Sequence, residues 1–360
     1  MFYNVETEMQ YMKNCVIHYF SGTGNTQRAA GILFEQLNKP GIGKCALNNI
    51  EQNSSVPLDS HAIHIFMFPV YAGAAPAIMV HYLMNLPSVQ GGSAAIIAIT
   101  GRTEHRHGDP MQALDQASRI LARKGFQVQL TDAVEAVANF GQFLNPPTPE
   151  AQQQILREAD ARIREIAEQI RQQQTSIRIS AIWIKYAAWC LWAIYTVLAR
   201  RVLGKLYVAD QACTGCGQCA HFCPAAAIRL FHGVPRWNFQ CEGCQRCMNI
   251  CPTHAIQVSF LRLFVMLMTT VLFPIAVFIH FLALHGIVLS LFFTVLTTIG
   301  VVVCADVVVF LLELIPAMRY LTTASHTRRY RRYLAPDFLK TLARTHRDSR
   351  NSLDNSSRGY

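Results

Sequence analysis

Eight of the chain's twelve cysteines fall between residues 213 and 251, and this crowding constrains the chain more than any other feature. Cys213-Thr-Gly-Cys216-Gly-Gln-Cys219-Ala-His-Phe-Cys223-Pro224 follows the pattern C-x2-C-x2-C-x3-C-P. Cys241-Glu-Gly-Cys244-Gln-Arg-Cys247-Met-Asn-Ile-Cys251-Pro252 repeats it, and both copies continue to Ala-Ile, at 227–228 and 255–256. The segment is therefore an internal repeat. Two Cys separated by two residues point at one centre from a tight turn. A third at the same spacing wraps the loop around a cubane. Zinc sites use C-x2-C pairs set apart by a longer spacer, and disulfide frameworks belong to small secreted chains. The opening residues MFYNVETEMQYMKNC show no basic stretch leading into an apolar run, so no secretory signal is expected.

The fourth Cys of such a repeat, the one before Pro, ligates the other cluster in two-cluster proteins. Cys213, Cys216, Cys219 and Cys251 are thus expected to hold one [4Fe–4S] cluster, and Cys241, Cys244, Cys247 and Cys223 a second. Tyr207 and Trp237 precede the two motifs and are expected to shield the clusters from water. The scattered Cys15, Cys45, Cys190 and Cys304 read as buried small hydrophobes.

Residues 13–175 have the texture of an α/β domain. Short runs rich in β-branched and aromatic residues occur at 15–20, 61–70 and 94–100, and helical composition at 26–38, 111–125 and 149–173. This alternation predicts a doubly wound parallel sheet with helices on both faces. The last helix opens Thr148-Pro149-Glu150, a capping residue followed by Pro in the first turn. The first strand runs directly into Ser21-Gly22-Thr23-Gly24-Asn25-Thr26 and then a helix. Glycines allow a tight turn and close approach to a ligand, and the helix start presents free N–H groups to an anion. With no Lys or Arg in the loop, it lacks the Gly-Lys-Ser/Thr of a P-loop, and it also lacks the dinucleotide spacing. It suits a single phosphate held by neutral donors.

Residues 15–27 resemble the phosphate loop of a flavodoxin. Phe68-Pro69-Val70-Tyr71-Ala72-Gly73 and Thr100-Gly101-Arg102 follow the next strands, where that family places loops against an isoalloxazine ring. The resemblance implies FMN, with Ser21, Gly22, Thr23, Gly24, Asn25 and Thr26 at its phosphate. It places Pro69, Val70, Tyr71, Ala72, Gly73, Thr100, Gly101 and Arg102 near its ring. Residues 101–109 (GRTEHRHGD) are richer in His and Arg than the family pattern. Taken with the Cys repeat, residues 13–258 resemble the flavodoxin–ferredoxin fusion family. That resemblance implies FMN, two [4Fe–4S] clusters and electron transfer, with no classical acid–base pair.

Residues 263–284 are 22 uncharged, mostly apolar positions, and 287–315 is a second apolar stretch broken only by Asp306 and Glu313. Each is long enough to cross a bilayer, about 30 Å thick in its hydrocarbon core. They are read as two transmembrane helices in a hairpin turning at His285-Gly286, with a kink at Pro274. Arg262 precedes the pair, and Arg319, Arg328, Arg329, Arg331 and Arg332 follow it, while the connection carries no Lys or Arg. Both ends are therefore expected in the cytoplasm, with an inner-membrane location. The net charge of +10 then tracks the membrane surface, and not nucleic acid, since the Cys region is nearly neutral. His280 and His285 have no His facing them from the second stretch, so no haem is expected. Asp306 is read as lying near the cytoplasmic interface.

The expected architecture is an α/β flavodoxin-like domain (13–175), an amphipathic or linker helix (176–206, with Trp183, Trp189, Trp192 and Tyr195) and a small α+β two-cluster ferredoxin-like domain (207–258). A transmembrane hairpin (261–317) and a basic tail (318–360) complete it. The function expected is electron transfer between FMN and two clusters at a membrane. The alternative is a reductase acting on a small molecule or a membrane quinone. The expected partners are a redox donor or acceptor protein, or a quinone, and membrane lipid. No nicotinamide fingerprint is present.

Overall fold

The computed structural model describes residues 14–39, 43–52, 58–59, 61–178 and 203–344. The chain forms two compact units: one from 1–139, 146–194 and 334–360, the other from 140–145 and 195–333.

In the first unit β1 (Cys15–Tyr19), β2 (Cys45–Asn49), β3 (Ile63–Pro69), β4 (Gly92–Arg102), β5 (Phe126–Val137) and β6 (Ser176–Ile177) form one sheet. Every pair is parallel, in the order β2-β1-β3-β4-β5-β6. Helices α1 (Asn25–Leu37), α2 (Ala77–Asn85), α3 (Ala113–Arg123) and α4 (Pro149–Arg171) provide the crossovers. β3 and the body of β4 are buried along their length, as apolar central strands of a two-faced parallel sheet must be. Helix α4 starts as its sequence indicates: the Thr148 hydroxyl accepts from the Ala151 N–H at 3.4 Å, with Pro149 in the first turn. The order 2-1-3-4-5 is the flavodoxin-like one, in which winding reverses between β1 and β3 and opens a crevice at the strands' carboxyl ends.

Three expectations change in this unit. Parallel pairing sets Cys15 opposite Cys45, with Cα atoms 4.5 Å apart, and the two are joined as a disulfide instead of standing as separate hydrophobes. Ser176 and Ile177 join the sheet as β6, so the expected helix cannot begin at 176; the rest of that expectation, and Cys190, lie outside the described residues. The basic tail does not stand apart, because residues 334–344 pack into the first unit.

A chain of polar side chains is buried between strands and α2. The Tyr82 hydroxyl donates to His18 Nδ1 at 2.7 Å, and the rings of His18 and His64 meet through Nε2 and Nδ1 at 3.0 Å. His64 Nε2 lies 3.0 Å from the Asp59 carbonyl. Each link needs one proton, so a consistent assignment has both rings neutral, with His18 Nε2–H and His64 Nε2–H as donors. Burial pushes the His18 ring down to about 3, and His64 is lowered for the same first reason.

The second unit contains two antiparallel pairs, β7 (Tyr207–Ala209) with β10 (Ile256–Val258) and β8 (Ile228–Phe231) with β9 (Val234–Trp237). Two short helices accompany them, α5 (Gln218–His221) and α6 (Arg246–Ile250). Residues 140–145 belong here, outside the α/β domain assigned from sequence: the Gln142 side chain donates to the Leu203 carbonyl at 3.0 Å and its own carbonyl accepts from His326 at 2.8 Å.

The apolar region comprises α7 (Phe260–Leu267), a π-helical turn (Met268–Leu272) and α8 (Phe273–Leu314). The π turn lies just before Pro274, which has no N–H for the helical ladder, so the expected kink has a defined cause. As one straight helix the 42 residues of α8 would span about 63 Å. Yet Arg262 Nε lies 2.6 Å from Glu313 Oε1, and the Phe281 and Phe293 rings stack at 5.2 Å. The chain must reverse between those two rings, and the two arms form a hairpin. Two segments, Phe260–Leu282 and Ile287–Glu313, are long and apolar enough to cross a membrane. Their apolar side chains face outward: Val288 is 82% and Ile279 63% exposed, unlike those of a soluble core helix.

The buried histidines make the first unit acid-sensitive. A ring whose folded pKa is depressed is neutral when folded and protonated when unfolded between the two values. Stability is therefore complete above about pH 6.5 and falls with pH below it, by at most about 1.4 kcal/mol per pH unit per ring. Urea titrations between pH 7 and 5 should show this loss beginning near pH 6.5, and His18→Gln should flatten it.

Candidate functional site

The repeat seen in sequence is also a repeat in backbone. Gly215 and Gly243 have φ of +69° and +65°, Gly217 and Gln245 +76° and +63°, Ala226 and His254 +46° and +53°. These left-handed residues turn each loop around its own hollow. One hollow is lined by Cys213, Cys216, Cys219 and Cys251. The other is lined by Cys223, Cys241, Cys244 and Cys247. Each is thus walled by three cysteines of one copy and the fourth of the other, the grouping expected from the spacing. Among the described residues no group of three or more His, Cys, Asp or Glu is placed to hold a single metal ion. In a cubane each thiolate binds a different iron, so the four sulfurs stand around a volume and do not converge on a point.

The sulfurs sit in an N–H-rich setting. Ala227 and Ala255 N–H groups lie 3.3 Å from Cys223 and Cys251 Sγ, again at matched positions of the repeat, and the Gly243 N–H lies 3.4 Å from Cys241 Sγ. Without a metal three of these thiols are hard to ionise: burial first, and neighbouring thiols next, push Cys219 up to about 11, and burial raises Cys244 and Cys247 as well. A cationic metal core would reverse that cost. Tyr207 and Trp237 are buried and line the second hollow, with rings 5.5 Å apart. Neither lines the first hollow, so the expected cover reaches one quartet and not both. The Trp237 indole N–H has no oxygen or nitrogen acceptor and lies toward Cys247 Sγ, whose ionisation it favours.

In the first unit, the loops after β1, β3 and β4 gather at the carboxyl end of the sheet. Ser21 through Gly24 are buried; Gly24 has φ +105° and its N–H donates to Ser21 Oγ at 3.1 Å. Asn25 Nδ2 donates to the Val137 carbonyl at 2.8 Å, tying the loop to the end of β5. Thr26 Oγ1 is buried with no hydrogen-bond partner. An orphaned hydroxyl at a helix start is what an anion would satisfy. The nearest cation in sequence, Arg28, is engaged by Asp160 at 2.6 Å, so the loop's donors remain neutral.

After β3, Tyr71 and Ala74 exchange backbone hydrogen bonds across a turn at Ala72 (φ +49°) and Gly73 (φ +77°). A Cβ at Gly73 would lie 2.5 Å from Met111 Sδ, so only glycine fits there. Pro69, Val70 and Tyr71 are half-buried, and the Val70 N–H donates to the Ile99 carbonyl at 2.9 Å. After β4, Thr100 is buried, Gly101 is exposed, and Gly108 folds back against both. Arg102 is paired with Glu158 and, at 3.7 Å, with Glu135, which also takes His107 at 2.9 Å. Its guanidinium is thereby committed to carboxylates. The His- and Arg-rich character of 101–109 follows from this network.

A further contact was not foreseen. The Ala335 N–H donates to the Thr23 carbonyl at 2.9 Å, and a Cβ at Gly24 would sit 2.8 Å from both Ala335 and Phe338 Cβ. Phe338 and Leu342 are buried. The signal lay in the spacing of Leu334, Phe338 and Leu342, one apolar residue per helical turn after a basic stretch.

Residues 212–256 match the family model of the 4Fe-4S dicluster domain. The second unit thus carries an iron–sulfur domain, and the first has a flavodoxin-like strand order. The chain is similar to flavodoxin 1 from Bacillus cereus (18% identity, TM-score 0.30, 42% of this chain and 97% of that one). It is also similar to a flavodoxin from the domain Archaea (18% identity, TM-score 0.26, 43% and 99%) and to an azoreductase from Bacillus anthracis (10% identity, TM-score 0.32, 44% and 100%). The strand order, and not these distant likenesses, assigns the fold. No curated protein matches the chain.

The tail contact on the Gly-rich loop can be measured. Phe338→Ala should destabilise the first unit by about 3 kcal/mol, and Gly24→Ala by about 1 kcal/mol or more. Because both act on one contact, the double variant should lose less than the sum in urea unfolding.

Proposed function

We propose that the chain is a membrane-anchored electron-transfer protein of the flavodoxin–ferredoxin fusion type, holding two [4Fe–4S] clusters and FMN. The observation that carries this reading is the pair of hollows, each walled by four cysteines drawn from both copies of the repeat. Cys213, Cys216, Cys219 and Cys251 hold one cluster, and Cys241, Cys244, Cys247 and Cys223 the other. When bound, the clusters supply one-electron chemistry and FMN supplies one- or two-electron chemistry. The protein's own part is to fix and insulate them. Crossed cysteines keep the two cluster sites adjacent, N–H groups aimed at the sulfurs stabilise thiolate charge, and Tyr207 and Trp237 exclude water from the second site.

At the flavin site Thr26 Oγ1, the Ser21–Gly24 backbone and Asn25 hold the phosphate, and the 69–73 turn and the Thr100–Gly101 backbone flank the ring. Arg102 is left out of the ring site because its guanidinium is spent on Glu158 and Glu135. The two outward-apolar helices anchor the chain in the membrane. The flanking arginines favour a cytoplasmic side for both ends, although some also serve the fold: Arg332 donates to the Ile256 carbonyl at 3.0 Å and Arg328 lies 3.7 Å from Asp210.

Anaerobic purification in detergent with iron, sulfide, zinc and flavin analysis tests the reading. About eight iron and eight sulfide per chain, with one FMN, is the expected result; zinc without sulfide or flavin would sink it. Crossed ligation makes a sharper prediction. Cys223→Ala should abolish or convert the cluster of the second repeat, and Cys251→Ala that of the first. Electron paramagnetic resonance of the reduced variants distinguishes the two.

A further inference from the structure

Where the hairpin meets the cluster domain there is a small open cleft. Its floor comes from the membrane hairpin: Arg262 at the start of the first arm, and Asp306, Phe310 and Glu313 near the end of the second. Its roof comes from β7 and β9. Three roof residues are shared with the cluster hollows. Tyr207 and Trp237 also line the hollow of Cys223, Cys241, Cys244 and Cys247, and Pro235 also lines that of Cys213, Cys216, Cys219 and Cys251. The cleft is thus one side-chain layer from both redox sites and opens where the apolar helices begin.

Its charges are mostly used up. Arg262 is paired with Glu313 at 2.6 Å and with Asp306 at 3.1 Å, and Lys205 with Asp306 at 2.7 Å. Arg236 is the exception. Its guanidinium stacks on the Phe310 ring and has no carboxylate within ion-pair distance among the described residues. Burial pushes it down to about 10, and the Arg262 charge adds to that. A desolvated donor fork beside aromatic faces, with no counter-ion of its own, suits a flat neutral ring carrying carbonyl acceptors. A phosphate would instead have to sit beside Asp306 and Glu313.

We propose that this cleft binds the headgroup of a membrane quinone, with Arg236, held against the Phe310 ring, donating to a quinone carbonyl and the isoprenoid tail running out along the hairpin. The inference rests on the electron-transfer reading and names the membrane partner of the same redox centres. The wall shared with both hollows is the reason for a redox-active ring over a structural lipid.

The test uses the full holoprotein in phosphatidylcholine nanodiscs and a photoreactive azido-quinone. Labelling should fall on peptides covering 229–237 and 306–313, and decylubiquinone should displace it. Arg236→Gln should weaken that displacement about tenfold, the loss of one charged hydrogen bond, with iron and sulfide content unchanged. Phe310→Leu, which removes the ring on which the Arg236 guanidinium stacks, should weaken it too, and the double variant should lose less than the sum. Labelling elsewhere, or displacement by phosphatidylglycerol and not by decylubiquinone, would overturn the quinone site while full cluster content left the electron-transfer reading standing. Absence of iron and sulfide from the wild-type chain would overturn both.

Discussion

The pair of hollows, each walled by four cysteines, is the constraint on which the second unit depends. Thiols packed this tightly resist ionisation, as the upward shift of Cys219 to about 11 shows. Left without metal, Cys219, Cys244 and Cys247 would stay as unionised thiols in their hollows. A cluster bonded to the four sulfurs of a quartet would offset that cost and so couple cluster assembly to the folding of the loops around it. The crossing of Cys223 and Cys251 between copies extends the dependence: neither repeat can close its site without the other.

The same unit contains the charged end of the apolar hairpin. Arg262, Lys205, Asp306 and Glu313 form a linked set, with Arg262 only 8% exposed. Removing one member of such a set leaves a buried charge unpaired, which is far costlier than the net value of the pairs. Specificity is the better account of their presence. A hairpin with outward-facing apolar surfaces has few interior contacts to fix its register, and these pairs fix it at one end. Asp306, read from sequence as lying near the interface, is part of this fixed end.

Much of this was legible in the sequence for physical reasons. The Cys spacing dictates the turn, so the grouping of sulfurs could be read before any geometry was known. The Ser21–Thr26 segment was legible as a strand–turn–helix because its glycines permit the tight turn between β1 and α1. Pairing across strands was not. Cys15 and Cys45 are 30 residues apart, and only the parallel register of β1 and β2 brings them together. The Arg102–Glu158 and His107–Glu135 contacts are of the same kind, depending on which strand ends share an edge. The tail contact with Gly24 had a local signal, an apolar residue each turn, but nothing in that signal says which surface the helix covers.

The two cluster sites, alike in spacing, are unequal in surroundings, and the inequality is written at single positions of the repeat. Gln218 in the first copy corresponds to Arg246 in the second. Arg246 is only 1% exposed and favours the ionised form of Cys244. Cys216 of the first quartet is exposed, while Cys241 and Cys247 of the second are buried. Burial disfavours the more negative, reduced form of a cluster, whereas a buried cation and an indole N–H aimed at sulfur favour it. At the second site burial and these donors therefore act on thiolate charge in opposite senses. That site is also the one that shares Tyr207 and Trp237 with the cleft above the hairpin. The solvent-exposed sulfur, Cys216, belongs instead to the quartet that shares only Pro235 with that cleft.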